Sequence, residues 1–254
     1  MKKHYQNIVI GAGSGGRTAA IGLSALGKEV ALIEGLHVGG DCTNVGCVPS
    51  KTLIHLAKNF KEGTNPDEVL RETIRKRDAL RNLETEEVQE IENLTFIEGM
   101  AQFTAPKTLE ITNSAGETQQ ITADNIVIST GARPRRLDIP GLPAERSMTN
   151  IELFDLENAP KHIAIIGAGV IALEMAFALQ KIGTKVTMLA LDKRALITSI
   201  SEAAEAIQAS LDHKGIATYY GATAKSYDEA TQTLTLTQGD AEIAVNDVDK
   251  VLVA

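Results

Sequence analysis

Short apolar runs alternate with glycine-rich turns and helical stretches at the start of the chain. Asn7–Ile10 is an apolar run that breaks into a glycine-rich turn, Arg17–Leu26 has a helical pattern rich in Ala and Leu, and Glu29–Glu34 is mostly apolar again. Continuous apolar runs between turn signals are typical of strands buried on both faces of a sheet. The pattern predicts a strand–helix–strand unit.

The same pattern returns in the second half of the chain. His162–Ile166 is an apolar run that ends at Gly167 and Gly169, and Val186–Ala190 is the following apolar run. A repeated strand–turn–helix–strand pattern indicates two similar units within one α/β protein.

The middle of the chain is more polar. Pro66–Glu92 alternates charges and predicts a helix with a solvated surface. Thr95–Phe103 and Thr108–Thr112 predict short strands, and Asp124–Gly131 predicts another buried strand.

Proline and glycine are dense between Pro134 and Pro143, which is typical of a boundary. We therefore predict two domains, 1–148 and 149–254. Asp249–Ala254 repeats the pattern of Asp124–Ser129 and the sequence stops there, within a predicted strand. We therefore expect this sequence to be part of a longer protein.

Composition narrows the class of protein. The 254 residues are 43% apolar and carry a formal net charge of −8, which argues against a nucleic-acid partner. No signal-peptide pattern opens the sequence and no apolar run has membrane-spanning length. These features predict a cytoplasmic protein without a membrane partner.

The first glycine-rich turn has the spacing of a dinucleotide site. Gly11 allows a tight turn, Gly13 lets the backbone approach a pyrophosphate, and Gly16 lets the helix pack on the strand. Glu34 ends the next strand, where a carboxylate can hydrogen-bond a ribose diol.

The second turn repeats Gly167 and Gly169 but differs at two positions. Ala172 replaces the third glycine, and Ala190 stands where the acid would be. Loss of the acid removes repulsion against a 2′-phosphate, but no matched arginine stands there, so the sequence does not give the specificity between NADH and NADPH. Arg194 is a candidate to bind such a phosphate.

The chain has two cysteines, Cys42 and Cys47, close together in sequence. Pro49 suits the first turn of a helix, which places Cys47 at the N-terminus, where exposed amides favour a thiolate. Lys51 shares a helix face with Cys47. A structural disulfide in so short a loop would stabilise little, and a zinc site needs more ligands. The spacing alone leaves redox and structural roles equally open.

Together these motifs resemble the flavin-dependent pyridine nucleotide–disulfide oxidoreductases, which include glutathione reductase, lipoamide dehydrogenase and mercuric reductase. Gly39–Lys51 is similar to the active-site motif of that family, and Gly11–Gly16, Glu34, Ser129–Gly131 and Gly167–Glu174 match in order and spacing. The resemblance covers the whole chain as the N-terminal portion of a family member. It implies two Rossmann-like domains of three-layer ββα type, with the C-terminal dimerisation domain absent.

The resemblance also implies the cofactors, FAD in the first unit and NADPH or NADH in the second. The residues implied to hold FAD are Gly11, Gly13, Ser14, Gly16, Glu34, Gly40, Asp41, Cys42, Lys51, Met100, Ala101, Ser129, Thr130 and Gly131. Those implied for the second nucleotide are Gly167, Gly169, Val170, Ile171, Glu174 and Ala190.

The implied activity is electron transfer from NAD(P)H through FAD to a Cys42–Cys47 disulfide, and on to a small disulfide, a metal ion or another oxidised substrate. Cys47 would face the flavin and Cys42 would attack the substrate. Lys51 and Glu174 would form a buried ion pair beside the flavin N5. The full-length parent would be a homodimer, whose other subunit supplies the general base for Cys42.

Some positions depart from the family pattern. Asp41 replaces a threonine close to the expected pyrophosphate, and Val170 replaces the tyrosine that gates the nicotinamide pocket in glutathione reductase. Val170 with Ala190 resembles the mercuric reductase branch, but the C-terminal cysteine pair of that enzyme is missing. Two alternatives stay open, a non-catalytic nucleotide-binding fragment and a monooxygenase with incidental cysteines.

Overall fold

The computed structural model describes residues 3–61 and 63–254 and divides into two compact units. The first comprises the chain up to Pro49 together with Arg75–Arg133, and the second comprises Ser50–Ile74 and Pro134–Ala254. The elements as far as Ile128 are β1 (His4–Ile10), α1 (Ser14–Ala25), β2 (Val30–Glu34), α2 (Gly40–Asn44), α3 (Cys47–Lys58), α4 (Pro66–Glu90), β3 (Leu94–Glu98), β4 (Met100–Ala105), β5 (Thr108–Thr112) and β6 (Thr118–Ile128).

The second part of the chain has the same alternation of strands and helices. Its elements are β7 (Ser147–Met148), α5 (Asn150–Leu153), β8 (His162–Ile166), α6 (Val170–Lys181), β9 (Lys185–Ala190), α7 (Ser201–His213), β10 (Ala217–Tyr220), β11 (Ala222–Asp228), β12 (Thr233–Gln238), β13 (Ala241–Val245) and β14 (Lys250–Val253).

These units differ from the predicted ranges 1–148 and 149–254. The division falls between Arg133 and Pro134, and Ser50–Ile74 belongs with the second unit. One contact that joins this segment to the rest of the second unit is the hydrogen bond from the Ala159 amide to the Asp67 carboxylate, at 2.9 Å. Such a contact joins residues far apart in sequence, so no local pattern reveals it.

The first unit is built on a sheet with strand order β3-β2-β1-β6-β5-β4. Strands β1, β2, β3 and β6 run parallel, while β4 and β5 form an antiparallel extension. The long strand β6 belongs to both parts, because Thr118–Thr122 pairs with β5 and Thr122–Ile128 pairs with β1.

The side chains of this sheet fill two separate cores. Ile8, Ile10 and Ile33 pack with Leu109 and Ile121 of the antiparallel extension. The alternate side chains of the same strands pack on the other face, with residues of the helices; this core contains Val9, Val30, Leu32, Ala20 and Val88. Alternation along each strand therefore separates an antiparallel layer, a parallel layer and a helical layer.

The second unit repeats this three-layer arrangement. Its parallel sheet has the order β10-β9-β8-β14-β7, and β11-β12-β13 form a separate antiparallel sheet. Ala164, Leu189 and Val251 of the parallel strands share a core with Leu234 and Leu236 of the antiparallel sheet. The predicted α/β class with two Rossmann-like units is confirmed.

The polar helix α4 differs from its prediction. Its bounds are close to those expected, but its surface is only partly solvated, because Leu70, Thr73, Arg77 and Val88 are buried. Because the segment is highly polar on average, its composition gave no sign of these buried positions. Within the described ranges, no helix is both long and apolar enough to span a membrane.

Candidate functional site

The first glycine turn joins β1 to α1 and has no room for side chains. Gly11 has φ +99°, and a Cβ placed on it would lie 2.2 Å from the carbonyl oxygen of Ser129. A Cβ on Gly16 would lie 1.7 Å from the carbonyl oxygen of Gly11. Both glycines are therefore required by the approach of backbone to backbone, as the spacing predicted.

Gly13 is different, because its backbone could accept any residue. It is the N-cap of α1 with φ −75° and ψ −174°, and a Cβ there would meet only the Cα of Gly40, at 3.5 Å. Among the described residues no side chain caps α1, and its first turn, which begins at Ser14, carries no acid. Uncapped amides at a helix N-terminus favour an anion, and the bare Gly13 leaves space for one.

Glu34 is held by one backbone amide of the glycine turn and by one amide just after its own strand. Its carboxylate accepts hydrogen bonds from the amides of Ala12, at 2.6 Å, and Leu36, at 2.8 Å. The exposed Met100 side chain lies beside Gly35, and Ala101 packs against the core of the antiparallel layer. The carboxylate is thus held at the end of β2, beside an apolar surface.

Ser129–Gly131 follows β6 and lies against the same turn. The Ser129 amide donates to the Ile10 carbonyl at 2.8 Å, which continues the pairing of β6 with β1. Thr130 and Gly131 are exposed, and Gly131 has φ +67°. The segment is therefore available at the carboxyl ends of the parallel strands, where nucleotides bind in folds of this kind.

The cysteine motif starts on the first glycine turn. The Gly39 amide donates to the Ala12 carbonyl at 2.9 Å, and a Cβ on Gly40 would lie 2.6 Å from the Cα of Gly13. Gly39 and Gly40 both have positive φ, +92° and +57°. Two glycines in succession thus let the motif approach the turn closely.

The two thiols are neighbours and are not joined by a disulfide bond in the structure. Cys42 is half-buried in α2, and Cys47 is exposed as the first residue of α3. A hydrogen bond with the Cys47 side chain, burial and the nearby Glu84 carboxylate raise the pKa of Cys42. Cys42 therefore holds its proton more firmly than an ordinary thiol. The described residues contain no cluster of three or more His, Cys, Asp or Glu able to hold a metal ion.

Asn44 fixes the bend that carries the motif. Its buried side-chain amide donates to the carbonyls of Val38, at 2.9 Å, and Gly40, at 2.8 Å. Arg81 of α4 donates in turn to the Asn44 side-chain oxygen at 2.5 Å. Asp41 is exposed in the first turn of α2, where the helix dipole favours its charge.

Glu84 of α4 connects the thiol segment to α1. One of its oxygens is 2.5 Å from Arg17 Nη1, and the other accepts the Thr43 hydroxyl at 2.8 Å. Arg17 also contacts Glu87, at 2.6 Å. Sequence reasoning missed this network, since a charged residue in a charged helix carries no signal that distinguishes it from solvated neighbours.

Lys51 and Glu174 form an ion pair within the second unit. Lys51 Nζ lies 2.6 Å from both carboxylate oxygens of Glu174. The pair is not buried as the resemblance implied, because the side chains are 61% and 27% exposed. Glu174 is held at the edge of the apolar helix α6, so one side of its carboxylate stays in contact with solvent.

The second glycine turn repeats the first in detail. Gly167 has φ +137°, and a Cβ on it would lie 1.9 Å from the carbonyl oxygen of Ala254. Gly169 is the N-cap of α6 with φ −80°, and a Cβ there would meet nothing within 4 Å. No side chain in the described chain caps α6, and its first turn carries no acid. Ala172, which stands in place of the third glycine, is fully buried.

The surroundings of the second turn are apolar. Val170 and Ile171, at the start of α6, are exposed, whereas Ala190 is buried at the end of β9. Exposed Leu191 follows directly. The guanidinium of Arg194, the candidate for a 2′-phosphate, donates to backbone carbonyls of the following loop.

The fold and the turns define a protein with two Rossmann-type units, the first of which carries a pair of thiols. Residues 5–254 match the family model described as pyridine nucleotide-disulphide oxidoreductase. The mercuric reductase of Staphylococcus aureus is 31% identical over 98% of this chain, which covers 48% of that enzyme. The dihydrolipoyl dehydrogenase 3 of Pseudomonas aeruginosa is 32% identical over 85% of this chain, which covers 50% of that enzyme.

A solved structure agrees. The Cu(II) complex of RclA, an HOCl-induced flavoprotein disulfide reductase from Escherichia coli, superposes with a TM-score of 0.88 at 29% identity, covering 100% of this chain and 56% of RclA. The chain therefore belongs to the pyridine nucleotide-disulphide oxidoreductase family. It spans about half the length of the relatives it matches.

Proposed function

We propose that this protein is a flavin-dependent NAD(P)H oxidoreductase that uses a Cys42–Cys47 disulfide. The observation that carries the proposal is the direct contact of the cysteine motif with the first glycine turn, through the Gly39–Ala12 hydrogen bond. A nucleotide cofactor held at that turn would thus lie next to the segment that bears the thiols.

The residues of the first unit fit FAD. The turn at Gly11 and Gly13 offers uncapped amides to a pyrophosphate, and Glu34 offers a fixed carboxylate to a ribose diol. The second turn, at Gly167 and Gly169, fits the pyrophosphate of NADH or NADPH in the same way. When bound, these cofactors supply a hydride and pass on its electron pair.

The two cysteines would carry the redox reaction that the chain's own residues perform. Reduction of the disulfide takes up two electrons and two protons, breaks the S–S bond and leaves both cysteines as thiols. The raised pKa of Cys42 means that a base must remove its proton before the sulfur attacks a substrate. We assign Cys42 to the substrate and Cys47 to the flavin, as the family resemblance implies.

Lys51 and Glu174 are proposed to act as a pair. The carboxylate holds the ammonium group of Lys51 through both of its oxygens, which fixes the direction of a side chain that is otherwise exposed. A fixed positive charge at this position would stabilise negative charge that develops on a bound cofactor.

Substrate and assembly are proposed at the level of chemical class. The relatives are named as reductases or dehydrogenases of mercuric ion and dihydrolipoyl groups, and RclA was solved as a Cu(II) complex. We propose a small disulfide, a metal ion or another oxidised compound as the acceptor, a homodimer for the full-length protein, and a cytoplasmic location.

A thiol count tests the proposal, because the chain has two cysteines. The oxidised chain, supplied with FAD and with NADPH or NADH without oxygen, should gain two thiols as the nicotinamide is oxidised. The Cys42→Ser and Cys47→Ser variants should bind FAD equally well and gain none. Failure to bind FAD would contradict the proposal, whereas FAD and nucleotide binding without a gain of thiols would favour a non-catalytic nucleotide-binding fragment.

A further inference from the structure

The loop after β9 contains a residue in an uncommon conformation. Leu196 has φ +48°, in the left-handed region that a leucine rarely adopts. Such a conformation persists only where the surrounding structure holds it, and it often marks a functional segment. The contacts that hold Leu196 are therefore informative.

Both backbone groups of Leu196 are engaged. Its amide donates to the Ala168 carbonyl at 3.0 Å, and Ala168 is the central residue of the second glycine turn. Its carbonyl accepts a hydrogen bond from Arg194 Nη1 at 3.1 Å. Leu196 thus joins the loop to the turn at which we propose that NAD(P)H binds.

The first unit has the same connection with a different residue. There the Gly39 amide donates to the Ala12 carbonyl at 2.9 Å, and Gly39 has φ +92°. Ala12 and Ala168 occupy the same place in their turns. The first unit uses glycine where the backbone needs a positive φ, whereas the second unit uses Leu196 and must offset its strain by other contacts.

Arg194 supplies part of those contacts, beside the Ser199 amide, which donates to the Leu196 carbonyl at 2.8 Å. Nη1 donates to the carbonyls of Ala195, at 3.4 Å, and Leu196, at 3.1 Å. Nη2 donates to the carbonyls of Ile197, at 3.4 Å, and Ser199, at 2.7 Å. One planar guanidinium thus gathers four carbonyls of a loop without regular structure, and Ala195 is buried within it.

We propose that Arg194 is a positioning residue that clamps the 195–199 loop against the second glycine turn, rather than a ligand of a nucleotide phosphate. Both terminal nitrogens of the guanidinium already have acceptors, so a 2′-phosphate that binds them would have to displace backbone carbonyls. The inference rests on the proposed function of the second unit, since it concerns the loop beside the proposed NAD(P)H turn.

Two independent measurements on the 254-residue chain test the proposal. Hydrogen exchange of the 195–199 amides reports the clamp without any nucleotide, and titration with NADH and with NADPH gives the two dissociation constants. The variants are Arg194→Gln, which loses the guanidinium group and its charge, and Arg194→Lys, which loses the guanidinium group but keeps the charge. Lys193→Gln is the matched control, because Lys193 is exposed and forms no ion pair within residues 3–61 and 63–254.

The clamp predicts that Arg194→Gln speeds exchange of the 195–199 amides by about tenfold or more, with the rest of the second unit unchanged. Both dissociation constants should rise by a similar factor, on the order of tenfold, so that their ratio stays within about twofold. Arg194→Lys should recover part of both effects. Lys193→Gln should leave exchange and NADH binding unchanged.

A selective loss of NADPH binding with normal exchange would overturn the proposal, because it would make Arg194 a phosphate ligand. Unchanged exchange and binding in Arg194→Gln would also overturn it. If the unmodified chain binds neither nucleotide, the proposed function of the second unit fails, and the exchange result then decides separately whether Arg194 clamps the loop.

Discussion

Gly169 offers a test in which folding stability and nucleotide binding should change in opposite directions. Its backbone is extended, with φ −80° and ψ −175°, and a Cβ there meets nothing within 4 Å. The folded chain therefore accepts a side chain at this position. Aspartate is a preferred N-cap residue, so Gly169→Asp should satisfy an amide at the start of α6 that no described side chain caps.

The expected magnitudes separate the two effects. Replacing glycine by aspartate at an N-cap should raise the free energy of unfolding by about 0.5 kcal/mol. A pyrophosphate with two negative charges about 5 Å from the new carboxylate would be destabilised by about 2–3 kcal/mol at an effective dielectric constant of about 50. The affinity for NADH or NADPH should therefore fall roughly 30- to 150-fold.

The assay combines urea denaturation with titration by both nucleotides and by FAD. Gly169→Asn keeps the size and the capping group without the charge, so its difference from Gly169→Asp isolates the Coulomb energy. Gly13→Asp is the matched variant in the first unit, where φ is −75°. It should lose FAD and retain NAD(P)H, the reverse of Gly169→Asp. Normal NAD(P)H binding by Gly169→Asp, or loss of FAD by it, would refute the assignment of the two turns.

Three further predictions concern stability. The free energy of unfolding of Leu196→Gly should exceed that of Leu196→Ala by about 0.5–1 kcal/mol, because φ is +48° at this position. A higher free energy of unfolding for Leu196→Ala, which is the usual order, would show that the strain is absent. Asn44→Asp should lower the free energy of unfolding by about 2 kcal/mol, because it removes both donated hydrogen bonds of a buried amide, while Asn59→Asp at an exposed site should change it little. Burial, and after it the charge of Lys185, lowers the pKa of His162. The free energy of unfolding should therefore keep the full contribution of His162 above the unfolded-state pKa near 6.5 and fall as the pH drops below it. The urea midpoint should lose part of this pH dependence in His162→Gln.

The parts of the site that could be predicted from sequence are those whose residues recur at a fixed short spacing along the chain. A glycine such as Gly11 or Gly167 is needed because another backbone segment passes within van der Waals distance, and the spacing of such glycines records that approach. The thiol motif is equally local, since Cys47 begins a helix. The backbone that approaches these glycines, at Ser129 and Ala254, is distant in sequence, but the spacing of the motif itself lies within a few residues, so a pattern along the chain was sufficient.

The missed parts depend on contacts between distant segments. Glu84 is one of many acids in α4, and only folding shows that it contacts Arg17 and Thr43. Arg194 was named from sequence only as a phosphate candidate, and only the folded loop shows that its guanidinium donates to four backbone carbonyls. The capping box of Thr149 and Glu152, by contrast, has a readable sequence signature and could have been used to predict α5.

The fixed carboxylate of Glu34 has a consequence for how the first cleft would discriminate between FAD and NADPH. Two backbone amides immobilise it, so it cannot swing away from a ligand. A dinucleotide with a phosphate on its adenosine ribose would place that group against a fixed negative charge and be rejected, while FAD has a free diol there. Ala190 leaves the other cleft without such a filter. With FAD in the first cleft, as proposed, a single side chain would keep NADPH out of it.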